Sequence, residues 1–74
     1  MIVRYRALGD LKERVIPSSG EKEIPENKTV GFLLSELNLP TSDLVVMLNG
    51  KKANVTKELV NGDQVVLLSV VAGG

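Results

Sequence analysis

Asn61-Gly62-Asp63-Gln64-Val65-Val66-Leu67-Leu68-Ser69-Val70-Val71-Ala72-Gly73-Gly74 is the stretch that decides the fold. Asn and Gly tolerate the positive φ of tight turns and Asp bonds to nearby backbone, so Asn61-Gly62-Asp63 predicts a turn. The following run, dense in Val and Leu, predicts a buried strand that begins at Gln64 or Val65. On such a strand Val65 and Leu67 point one way, while Val66, Leu68 and Val70 point the other. The strand is expected to run through Ala72 into two glycines. Gly has no Cβ, so Gly73 and Gly74 can extend into a channel too narrow for any side chain, while the strand fixes where they start. Fully extended, Val71 to Gly74 spans at most about 14 Å. The pattern predicts a carboxylate presented on a thin stalk, although glycine-ended termini also occur with no function attached.

The whole chain narrows what such a stalk could serve. Its 74 residues predict one domain, 1–74, and a chain of that size buries only about 60% of its unfolded surface. There is no cysteine, so no disulfide framework or Cys zinc site stabilises it and no thiol carries a group. There is no histidine either, which removes the usual general base near neutrality, the Ser-His and Cys-His pairs, and the commonest metal ligand. The chain is not expected to be an enzyme in its own right, and no metal or bound cofactor is expected. Nine basic and nine acidic residues give a formal net charge of zero, with no basic block to neutralise phosphates, so nucleic acid is not an expected partner. The apolar runs fall well short of the roughly 20 residues of a membrane span, and no signal-peptide pattern opens the chain. The expectation is a soluble, cytoplasmic protein.

From the other end, Met1 to Leu8 alternates, with Val3, Tyr5 and Ala7 on one face and Arg4 and Arg6 on the other, which predicts a strand with one wet face. Gly9-Asp10 breaks it, Leu11 to Val15 predicts a helical turn or an irregular connection, and Pro17-Ser18-Ser19-Gly20 is rich in turn formers. Glu21 to Ile24, charged and followed by Pro25, predicts an edge strand, where charges discourage further pairing. Thr29 is the expected N-cap of a helix whose Val30, Leu33, Leu34 and Leu37 share one face. That helix cannot pass Leu39, because Pro40 disfavours helical geometry in the residue before it. Asp43 to Leu48 predicts a strand, Asn49-Gly50 a type I′ hairpin turn, and Lys51 to Val55 the return. Thr56 to Val60 then leads to the turn at Asn61.

Strand, strand, helix, strand, return and strand predict an α+β pattern with one helix on one face of a small sheet. Val3, Tyr5, Leu33, Leu34, Leu37, Val65 and Leu67 are the expected core. A single helix covers a single face, yet the terminal strand is apolar on both, so Val66 and Leu68 are expected to form a contact patch. Counting back from Asn49-Gly50, Val45 and Met47 join it. Met47, Val66, Leu68, Val70 and Ala72 are therefore the candidate partner-binding residues, with Arg4 and Arg6 as a polar rim that orients acidic partners.

This order of elements, the hairpin Leu48-Asn49-Gly50, the turn Asn61-Gly62-Asp63 and the ending Val70-Val71-Ala72-Gly73-Gly74 together resemble the ubiquitin-like β-grasp sulfur carriers. That family includes the thiazole sulfur carrier of thiamine synthesis and the small subunit of molybdopterin synthase. The resemblance covers nearly the whole chain. Arg6-Ala7-Leu8, Leu11-Lys12-Glu13 and Lys28-Thr29-Val30 are similar to the molybdopterin subunit. Ser69-Val70, standing where that subunit usually has a pair of prolines, and the Val-Ala-Gly-Gly ending resemble the thiazole carrier.

The resemblance implies an α+β ubiquitin-like β-grasp fold, a small mixed β-sheet with one helix packed on one face and a flexible Gly-Gly tail, and a Gly74 carboxylate that an ATP-dependent adenylyltransferase activates before conversion to a thiocarboxylate. It implies an acceptor such as thiazole synthase or the molybdopterin synthase large subunit, with ATP and magnesium belonging to the activating enzyme. Two other uses of the same features stand beside it. One is a covalent modifier joined to target lysines through Gly74, as in ubiquitin; the other is an interaction domain that binds through its apolar sheet face alone.

Overall fold

The computed structural model describes residues 1–70; Val71, Ala72, Gly73 and Gly74 lie outside the described residues. Along the chain come β1 (Ile2–Ala7), α1 (Leu11–Arg14), β2 (Ser19–Glu23), α2 (Val30–Glu36), β3 (Leu44–Leu48), β4 (Lys51–Ala53) and β5 (Gln64–Ser69). The strands form a sheet in the order β2-β1-β5-β3-β4. β1 and β5 run parallel, and the other neighbours are antiparallel. This is the ubiquitin-like β-grasp arrangement that the resemblance implies.

The most apolar strand, β5, is central, with β1 and β3 as neighbours. Charged β2 is an edge, as Glu21, Glu23 and Pro25 predict, although it spans Ser19–Glu23 where Glu21 to Ile24 is the expectation. Tyr5 explains the earlier start: its hydroxyl donates to the Pro17 carbonyl at 3.0 Å, which draws the preceding loop onto β1. The return strand stops at Ala53, short of Val55, because the backbone beyond it turns to meet α2. There the Val55 and Lys57 carbonyls accept from the amides of Gly31 and Val30 at 2.8 and 2.9 Å. Those amides lie in the first turn of a helix and have no partner within it. Thr29 caps the same end, its Oγ1 accepting from the Phe32 amide at 3.3 Å.

Val3, Tyr5 and Ala7 from β1, Val46 and Leu48 from β3, and Val65 and Leu67 from β5 are buried on one face of the sheet, against Val30, Leu33 and Leu34 of α2. Leu37 departs from expectation. The regular helix ends at Glu36, Leu37 is its C-cap with φ −93°, and its side chain is half-buried at the margin of the core. Leu39 is buried beyond it. Asn38, at φ 59°, reverses the chain and lets the Leu39 amide donate to the Leu34 carbonyl at 2.9 Å, which carries Leu39 back under the helix. Leu11, Val15, Ile24 and Leu59 complete the core from loops and from the short α1.

Candidate functional site

Among the described residues no helix lies over the other face of the sheet. Register places its residues in rows across the strands. Arg6 lies beside Val66, Val66 beside Met47, and Met47 beside Lys52. On one side of that row Leu68 pairs with Val45; on the other, Gln64 lies beside Arg4 and Arg4 beside Glu21. Val45, Met47, Val66 and Leu68 are half-buried although no described helix or strand packs over them, as neighbouring side chains on a twisted sheet shield one another. Register therefore brings these four residues together on the side where alternation places them.

The polar residues around it are unequal. Arg4 and Arg6 are both exposed, but Arg4 Nε lies 3.2 Å from Glu21 Oε2 in a hydrogen-bonded ion pair. Arg6 and Lys52 make no ion pair among the described residues. A shallow depression lies over β1, lined by Arg4, Arg6, Ser19, Glu21, Gln64 and Val66.

At the end of β5 the ladder continues one residue, the Val70 amide donating to the Asp43 carbonyl at 3.0 Å. Val70 itself is 52% exposed. Of the expected site residues, Arg4, Arg6, Met47, Val66 and Leu68 share the open face and Val70 directly follows its central strand. Ala72, Gly73 and Gly74 lie outside the described residues.

At the opposite end of β5 sits a feature that sequence reasoning missed. Asp63 is the one buried charged residue among those described. One of its carboxylate oxygens accepts from Asn49 Nδ2 at 2.9 Å and the other from the Val60 amide at 2.8 Å. Asn49 also accepts from the Gln64 amide through Oδ1 at 3.0 Å. Asn49 and Gly50, at φ 51° and 86°, make the tight turn that their identities predict. The side-chain pairing of the two turns has no local signal, since each residue already has a sufficient role in its own turn.

Among the described residues no cluster of His, Cys, Asp and Glu is placed to hold a metal ion. Nor is any described helix long and apolar enough to cross a membrane. What the residues offer is an apolar face with charged margins, leading along β5 toward the terminus.

The ThiS family model matches residues 8–74, through the terminal Gly73-Gly74. The chain belongs to the ThiS family. Among solved structures it is similar to a putative molybdopterin converting factor subunit 1 from Pyrococcus furiosus, with TM-score 0.83 and 20% identity over 96% of this chain and 99% of that one. It is also similar to SAMP1 from Haloferax volcanii, with TM-score 0.79 and 20% identity over 100% of both chains. A third structure, a complex of subunits 1 and 2 of the molybdopterin-converting factor from Helicobacter pylori, aligns with TM-score 0.66 and 27% identity over 100% of both chains. A comparison with curated proteins found no match. As a ThiS-family member the chain shares the small ubiquitin-like β-grasp fold of these proteins.

Proposed function

We propose that this protein is a cytoplasmic sulfur carrier, not itself an enzyme, whose Gly74 carboxylate is adenylated and converted to a thiocarboxylate that donates sulfur in cofactor biosynthesis. The observation that carries the proposal is the family match running through Gly73-Gly74 on a chain whose open sheet face follows β5 toward that terminus. A terminal carboxyl has an unperturbed pKa of about 3.3 to 3.7, so at neutral pH it is an oxygen nucleophile. It attacks the α-phosphorus of ATP and expels pyrophosphate. ATP and magnesium are held by the activating enzyme. The resulting acyl adenylate has a good leaving group, and a persulfide on a second protein adds at the Gly74 carbonyl and displaces AMP. A further thiol then attacks the S–S bond, ending as a disulfide and leaving the thiocarboxylate. Gly74 puts no side chain beside the crowded carbonyl.

The chain's own contribution is shape. Met47, Val66 and Leu68 dock first on the adenylyltransferase and then on the acceptor, with Val70 and Ala72 completing the contact at the tail. The Helicobacter pylori structure is a complex with a second subunit, which supports an acceptor of the molybdopterin synthase large-subunit type; thiazole synthase is the alternative that the family name favours. Intact mass of the protein isolated from its own host tests the proposal. A species heavier by the replacement of one terminal oxygen by sulfur is expected. A ladder of conjugates without that species would replace the carrier with a modifier, and unmodified protein alone would leave only non-covalent binding.

A further inference from the structure

Four residues form one line straight across the open face: Arg6, Val66, Met47 and Lys52, on β1, β5, β3 and β4. The line reads cation, apolar, apolar, cation. Three strand intervals separate its ends, about 14 Å between backbones. Each end is exposed, and neither Arg6 nor Lys52 makes an ion pair among the described residues. Arg4, the other cation on this face, is already paired with Glu21. β3, the turn after it and β4 hold no carboxylate from Leu44 to Ala53, so no residue of its own hairpin neutralises Lys52.

We propose that Arg6 and Lys52 are the orienting charges of this face, and that the surface docking there is the activating enzyme's, bearing apolar residues between two carboxylates that straddle the row. The inference rests on the proposed carrier function and adds to it the chemistry of the partner and a role for Lys52. A cation on one side only would attract an acidic partner without fixing its rotation about the apolar contact. Cations on both sides of a two-residue-wide stripe define an axis, and the partner is seated with its acids at both ends. Arg4 contributes less, because an approaching carboxylate must compete with Glu21 for it.

The test uses the full-length protein and its purified activating enzyme, with association rate and affinity measured from low to high salt. Arg6→Glu and Lys52→Glu are each expected to slow association about tenfold or more at low salt, with the deficit shrinking as added salt screens the charges. Lys28→Glu is the control for net charge: it makes the same change on the helix side, where the Lys28 ammonium lies 5.0 Å from the Phe32 ring centroid, and should slow association less than twofold. Equal slowing by all three variants would reduce the effect to net charge and overturn the proposal. So would wild-type association indifferent to salt, or Lys52→Glu binding as well as wild type. ATP–pyrophosphate exchange on the wild-type protein separates the two levels. Exchange that proceeds with no special effect of Arg6 or Lys52 removes this proposal alone, whereas no exchange at all removes the carrier function and this proposal with it.

Discussion

Asn49 donates its carboxamide to the buried Asp63 carboxylate at 2.9 Å, joining the turn that ends β3 to the turn that begins β5. The Val60 amide holds the second carboxylate oxygen at 2.8 Å. Asp63 therefore fixes the start of the central strand against its neighbour. Asp63→Ala would leave the Val60 amide and the Asn49 carboxamide without their acceptor, and is expected to cost about 1 to 3 kcal/mol. Asn49→Asp would set two carboxylates together and replace a donor with an acceptor, and is expected to destabilise the protein at neutral pH. Chemical denaturation of each variant at neutral pH measures both effects.

Leu34 and Leu37 both lie on the helix stripe, but their costs should separate. Leu34 is fully buried, and Leu34→Ala is expected to lose about 2 to 5 kcal/mol. Half-buried Leu37 sits at the helix C-cap, where its neighbours are partly open to water, and Leu37→Ala should fall near or below the bottom of that range. Urea unfolding with matched m-values decides it; equal losses would mean that Leu37 is packed as tightly as Leu34.

Both kinds of residue show what could be seen in the sequence. Alternation placed Val3, Tyr5 and Ala7 inside and Arg4 and Arg6 outside, because a strand has a period of two whatever its neighbours are. Helical spacing found Val30, Leu33 and Leu34 but overran at Leu37, since periodicity alone does not see Asn38 turn left-handed. Leu11, Val15, Ile24 and Leu59 are buried from segments too short for any period to register, and only the folded chain brings them under the sheet. The row from Arg6 to Lys52 was invisible for a different reason. It depends on the register of β1, β5, β3 and β4, a non-local property in which a one-residue slip would exchange the faces. Alternation did assign Met47, Val66 and Leu68 to one side, and register brings them together there.

Leu68 is the residue at which fold and docking can be told apart. It lies on the open face opposite Val45, one residue from fully buried Leu67. Leu68→Asp should keep the protein folded with a modest loss of stability, because the new carboxylate can reach water. It should remove several kcal/mol of binding to the activating enzyme, where the charge would be trapped without a partner. Thermal unfolding of the free protein and affinity for the enzyme must be measured on the same variant. Unfolding would place Leu68 in the core, and unchanged affinity would remove this face from the contact.

The terminus carries the proposed chemistry and separates from the body in the same way. The described core draws on residues from Val3 to Leu67, so deleting Gly74 removes none of it and should leave the unfolding midpoint unchanged. Adenylation should respond in the opposite sense. Without Gly74 the carboxylate is withdrawn by one residue, about 3.5 Å, and misplacement of a nucleophile by as little as 1 Å can cost on the order of a hundredfold in rate. Replacing Gly74 by Leu restores the reach but sets a branched side chain beside the carbonyl that must pass through an acyl adenylate. Both variants should therefore lose ATP–pyrophosphate exchange with the cognate enzyme while still competing with wild type for binding through Met47, Val66 and Leu68. Undiminished exchange by the protein lacking Gly74 would sink the carrier function. Loss of competition together with exchange would mean that the tail itself, and not the sheet face, supplies the affinity.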